Sequence, residues 1–91
     1  MASVIVTLKI MPESPKVNLD FLYGKAEKEI SEFGGKIGKK EIEEIAFGLK
    51  ALNLIFIMDE AKGSTEKLEE KISKINGVNS VQVTDVRRTI G

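Results

Sequence analysis

Between Leu49 and Met58 the sequence is apolar in both registers: Leu49, Ala51, Ile55 and Ile57 alternate with Leu52, Leu54, Phe56 and Met58. A strand sends alternate side chains to opposite faces, so such a segment needs apolar or sheltered surroundings on both. Read from Ile45 to Met58, it predicts a central strand. The N-terminal segment Ala2 to Ile10 alternates differently, with Val4, Val6, Leu8 and Ile10 on one face and Ser3, Ile5, Thr7 and Lys9 on the other. That pattern predicts a second strand with one buried face.

The stretches between and around these strands supply the rest. Met11-Pro12-Glu13-Ser14-Pro15 predicts a loop, because two prolines withdraw amide donors and bias the residues before them toward extended backbone. Asn18 can cap a helix whose apolar positions Leu19, Leu22, Ala26, Ile30 and Phe33 follow three- and four-residue steps, and Gly34-Gly35 ends it. Lys36 to Glu44 carries only Ile37 and Ile42 among charges and glycine, which predicts a lightly buried edge strand. Asp59 to Gly63 turns the chain, and Ser64 or Thr65 can cap a second helix with the stripe Leu68, Ile72 and Ile75. Asn76-Gly77 stops that helix, and Val78, Val81, Val83 and Val86 supply a last strand. The order strand, helix, strand, strand, helix, strand is that of an α+β, ferredoxin-like split βαβ sandwich. It predicts a four-stranded antiparallel sheet with both helices on one face and the first and third strands in the middle. At 91 residues, the chain reads as one domain over positions 1–91.

Composition removes many functions. Acidic and basic side chains number 14 each, so no global field draws the chain to nucleic acid or an anionic membrane. The absence of cysteine and histidine removes disulfides, thiol nucleophiles, imidazole acid–base chemistry and nearly every zinc or copper site. Glu41, Glu43, Glu44, Asp59 and Glu60 fall on a predicted edge and turn, where carboxylates are solvated rather than paired for catalysis. Gly34-Gly35-Lys36 with Gly38 lacks the strand-to-helix setting of a phosphate loop. The aromatics Phe21, Tyr23, Phe33, Phe47 and Phe56 form no RNA-stacking signature. We therefore expect no catalytic residues, cofactor, metal or direct nucleic-acid contact. The longest apolar run, Leu52 to Met58 broken by Asn53, is too short to span a bilayer, and a cytoplasmic monomer is expected.

Ala46-Phe47-Gly48 departs from ordinary scaffold, since a large aromatic with small neighbours stands where the charged edge strand gives way to the central one. Either the ring folds onto the sheet and Gly48 permits a bend, or it stands free as an anchor for a partner's pocket. Arg87-Arg88 has the same two readings, a solvated pair or a steering element toward acidic partner side chains.

Three segments carry a resemblance: Met11 to Pro15, Ile45-Ala46-Phe47-Gly48-Leu49-Lys50-Ala51-Leu52-Asn53, and Val83-Thr84-Asp85-Val86-Arg87-Arg88. In order and spacing they resemble the archaeal elongation factor 1-beta family over practically the whole chain, the middle and last segments being the specific ones. The resemblance implies a ferredoxin-like exchange factor that replaces GDP by GTP on elongation factor 1-alpha, the GTPase that delivers aminoacyl-tRNA to the ribosome. It also implies binding to both GDP-bound and nucleotide-free forms of that GTPase, without covalent chemistry. In eukaryotic relatives an aromatic in the turn before the third strand enters a pocket of the GTPase, and Phe47, between Ala46 and Gly48, occupies that place. A lysine near their C-terminus disturbs the magnesium and phosphate region; its counterpart here falls at Ile90 or Gly91, neither a lysine, leaving Arg87 or Arg88 as the substitute. The alternative from another class is a ferredoxin-like regulatory module that dimerises and binds a small metabolite, supported by architecture alone.

Overall fold

Strand β1 (Ser3–Pro12), helix α1 (Leu19–Phe33), strands β2 (Lys36–Ala46) and β3 (Leu49–Asp59), helix α2 (Glu66–Ser73) and strand β4 (Val78–Thr89) follow one another along the chain. They come from a computed structural model that describes residues 2–89. The sheet order is β2-β3-β1-β4, with each neighbouring pair antiparallel. The two most apolar segments thus lie in the middle, as the periodicity predicts.

Register explains why those segments are apolar. The cross-strand pairs Val4–Met58, Val6–Phe56, Leu8–Leu54 and Ile10–Leu52 stack down one face of the sheet. Leu22, Ala26 and Ile30 of α1 and Leu68 and Ile72 of α2 close over that face, and all are buried in a single cluster with the strand residues. Local signals place α1. The Asn18 carboxamide oxygen accepts hydrogen bonds from the Asp20 and Phe21 amides at 2.8 and 3.3 Å. At the other end Gly34 sits at φ 104° and the Gly35 amide donates to the Ile30 carbonyl at 2.8 Å, a Schellman closure. For α2 the capping oxygen is that of Ser64, which accepts from the Glu66 amide at 3.1 Å. Thr65 instead donates to the Glu69 carboxylate at 2.8 Å.

Boundaries differ from the sequence reading at informative places. The central strand begins at Leu49, and Ile45 and Ala46 finish β2. Apolar character alone places Ile45 with β3, but the chain reverses between Ala46 and Leu49. Met11 and Pro12 extend β1, since a strand's last residue can pair without donating an amide. A short 3-10 turn, Glu60–Lys62, follows β3. The valines of β4 step by three, two and three residues, which no regular strand can keep on one face. Two register shifts resolve this: Asn79 and Thr84 are extra residues, so Val78, Val81, Val83 and Val86 pair with Pro12, Ile10, Leu8 and Val6 respectively.

The sheet is longer than its helical cover. An 11-residue strand spans roughly 36 Å, whereas the 15-residue α1 spans about 22 Å. Beyond the last β1–β3 pair, Ile10–Leu52, the β2–β3 hairpin continues through the pairs Glu43–Ala51, Glu44–Lys50 and Ala46–Leu49. Its tip is Phe47-Gly48.

Candidate functional site

Because Ala46 pairs with Leu49, the β2–β3 connection has two residues, and both lie in the left-handed region: Phe47 at φ 53° and Gly48 at φ 80°. These are the dihedral signs of a type I′ hairpin turn, whose first position ordinarily takes Asn, Asp or Gly. A bulky residue there crowds its own carbonyl, at a cost of about 1–2 kcal/mol. The ring gains nothing within the chain in return, since Phe47 is 98% exposed. Ile45, unpaired opposite β3 where the register shifts between Glu44 and Ala46, is also exposed. Of the two sequence readings, the ring that folds onto the sheet is not the one realised.

The loop after β1 runs beside this turn. A Cβ added to Gly48 would lie 3.7 Å from the Pro15 Cβ, so a side chain at that position would reach the loop. The loop is itself held, by the Glu13 amide donating to the Gly77 carbonyl at 2.9 Å and the Val17 amide to the Ser14 carbonyl at 3.2 Å. Between them lies an open groove of about 250 Å³ whose walls include Pro12, Pro15, Val17, Leu19, Gly48 and Lys50. Two of the three segments that carried the resemblance therefore meet here. Nothing in the hydrophobic periodicity signals that meeting, because it joins a loop to a turn.

The arginines are elsewhere. Arg87 shares a cross-strand row with Ile5, Ile57 and Lys36 on the face away from the helices. Along β3 that row is eight residues from Leu49, so roughly 26 Å separates it from the turn. Arg88 pairs with Val4 and points to the helical side. Each guanidinium meets a carboxylate: Arg87 Nε lies 3.0 Å from Asp85 Oδ2, and Arg88 holds Glu60 two-pronged, Nε to Oε2 at 3.2 Å and Nη2 to Oε1 at 3.1 Å. The two guanidiniums are largely solvated and the two carboxylates about half so, and such pairs contribute about 1 kcal/mol or less. The structure thus gathers Ala46, Phe47 and Gly48 at one end of the sheet and puts Arg87 and Arg88 at the other. Ile90 and Gly91, where the lysine of eukaryotic relatives would align, lie outside the described residues.

The carboxylates read as solvated keep that character. On the open face Glu43 accepts from the Asn53 amide at 3.1 Å and faces Lys9 at 3.6 Å, and these two influences, the hydrogen bond first, lower its pKa from the usual carboxylate value. Among the described residues no cluster of three or more acidic side chains is placed to hold a metal ion, and no helix is long and apolar enough to cross a membrane.

Comparison with known proteins bears on this geometry. Residues 5–89 match the family model described as the EF-1 guanine nucleotide exchange domain. The chain is 47% identical over 88 residues to elongation factor 1-beta of Methanothermobacter thermautotrophicus, covering 97% of this chain and 98% of that protein. With elongation factor 1-beta of Methanobrevibacter smithii the identity is 48% over 88 residues, at the same coverage. Among solved structures, the ACT domain from GTP pyrophosphokinase of Chlorobium tepidum is similar with a TM-score of 0.60 over 89% of this chain and 97% of that one. At 21% identity this last likeness speaks to the ferredoxin-like fold alone. The chain therefore belongs to the EF-1 guanine nucleotide exchange domain family and is a nucleotide exchange factor of translation elongation.

Proposed function

We propose that this chain, acting as a single-domain monomer, catalyses release of GDP from elongation factor 1-alpha by docking the Phe47 ring in a pocket of that GTPase. No bond is made or broken by the factor. It must bind the nucleotide-free GTPase more tightly than the GDP-bound one, and thermodynamic reciprocity then weakens nucleotide binding by the same factor. The observation that carries this reading is the ring itself, fully exposed on a left-handed backbone that favours other residues. Strain and exposure together are unfavourable for the isolated chain, and a binding pocket relieves the second.

The separation of the turn from the arginines shapes the mechanism. Groups roughly 26 Å apart cannot both act on one phosphate, so an idea in which ring and terminal cation disturb the same spot does not fit this fold. In our reading the two ends touch separate surfaces of the GTPase, Ala46, Phe47 and Gly48 anchoring one and Arg87 or Arg88 steering the other. The rigid sheet between them favours the spacing that the nucleotide-free form adopts. Balanced charge gives no support to a nucleic-acid partner, and the metabolite-module alternative has only the shared fold in its favour. The test is release of fluorescent GDP from the cognate GTPase. Phe47→Ala should slow stimulated release about 30-fold, corresponding to about 2 kcal/mol for a central aromatic anchor, with the circular dichroism spectrum unchanged. Release at the wild-type rate would remove Phe47 from the mechanism.

A further inference from the structure

Among the described residues the strand register leaves four extra residues, Gly38 and Ile45 in β2 and Asn79 and Thr84 in β4. Three of these bulges serve the core. Gly38 lets Ile37 and Ile42 share the helical face, and Asn79 and Thr84 bring the four valines of β4 onto it. The fourth aligns nothing in the core, because beyond Ile45 the strand holds only Ala46 before the turn. Nor does the hairpin need it to close, since without Ile45 the pairs Glu44–Lys50 and Ala46–Leu49 would simply be consecutive. We propose that Ile45 is a second apolar anchor for the elongation GTPase, set beside the Phe47 ring by this bulge. The inference rests on the docking role proposed for Phe47 and adds to that contact a residue of a different strand position and shape.

Residue type points the same way. All four extra residues are exposed. Glycine, asparagine and threonine leave little apolar surface in water at such a position, whereas Ile45, 40% exposed, leaves a branched hydrocarbon there. Its backbone is unpaired with β3 and its side chain lies outside the buried cluster, so the fold draws on neither. Ile45 and the ring share one surface, since both line a shallow concavity of about 240 Å³ around the hairpin tip, with Ala46, Gly48 and Leu49. Bulges beside binding sites re-aim side chains, and this one lies two residues from the ring. Size also calls for a second contact, because an aromatic side chain buries at most about 250 Å² while a specific complex needs about 800 Å² from each partner. The flanking charges, Glu44 and Lys50, are register partners of opposite sign, so the surface that fits is apolar and uncharged: a pocket for the ring and a ledge for a β-branched side chain.

The experiment titrates the full chain against the cognate GTPase loaded with fluorescent GDP and reads the factor concentration that gives half-maximal release. Ile45→Asn should raise that concentration about tenfold, and Ile45→Val should stay within about twofold of wild type. The Ile45→Asn defect should be the same at low and high salt, because no charge is altered. Deleting Ile45 removes anchor and bulge together and should impair release at least as much, with amide NMR showing β3 still paired with β1. The substitution decides the matter even where the deletion unsettles the hairpin, since an exposed, unpaired position tolerates Asn. If Ile45→Asn or the deletion works as well as wild type while Phe47→Ala is impaired, the second anchor is overturned and the ring reading stands. If Phe47→Ala also works as well as wild type, both readings fail. An Ile45→Asn defect that salt abolishes would overturn the apolar assignment.

Discussion

Phe47 occupies a backbone position at which Asn would be more stable, and this sets function against stability within one residue. Phe47→Asn should raise unfolding stability by about 1 kcal/mol, a Tm gain of roughly 4–8 °C for a domain of this size, while losing most stimulated GDP release. Thermal unfolding and the release assay on the same preparation check both halves. The ring's place in the family pattern was legible from its neighbours, but its exposure was not. A hairpin turn announces itself through Asn-Gly or Asp-Gly, and Phe-Gly gives no such signal, so only the family resemblance points to a turn at Phe47, while periodicity groups Ile45 with β3. Glu43 is a second residue whose state depends on neighbours ten or more positions distant in sequence. Because its folded pKa is lowered, its contribution to stability is present above the ordinary carboxylate pKa and is lost as pH falls through the folded value. Asn53→Ala should move the Glu43 titration, followed by side-chain carboxyl NMR, back toward the ordinary value.

Elements were the most legible scale, for a physical reason. Periods of 2 and 3.6 mark which face meets the core, and β1, α1, β3 and α2 each bury one continuous apolar face in the same cluster. β4 was legible as a strand but not in its register, because a three-residue step between valines hides an inserted residue, at Asn79 and again at Thr84. β2 repeats the device, with Gly38 unpaired so that Ile37 and Ile42, five apart, share the helical face. Close packing where α1 hands over to β2 gives a sharp prediction. A Cβ on Gly35 would come within 2.9 Å of both Ile30 Cγ2 and Phe56 Cδ2, atoms of the buried cluster that have no room to retreat. Gly35→Ala should destabilise the domain by about 1–3 kcal/mol in urea unfolding, with the m-value unchanged.

At the scale of the molecule, the elongated outline of 42 × 21 × 17 Å places the turn and Arg87 at far ends of one sheet. Sites so distant, meeting separate surfaces of the GTPase with no residue in common, should act independently. The effects of Phe47→Ala and Arg87→Ala on the logarithm of the release rate should therefore add within about 0.5 kcal/mol. Strong coupling between them in a double-mutant cycle would place both at one contact. The sequence could not supply this separation, since Phe47 and Arg87 are joined in space only through the pairing of β3 with β1 and of β1 with β4.

The three cross-strand pairs past Ile10–Leu52 make the hairpin a ruler. Each pair carries the tip roughly 3.4 Å further from the helices and turns every later side chain over by one face. Removing Glu43, Glu44, Lys50 and Ala51 together would keep the ring's orientation but withdraw it by about 7 Å, while sparing everything that α1 and α2 cover. The length of an otherwise unremarkable charged strand is thus a quantity on which reach depends. Its exposed charges matter less to that reach than their number does.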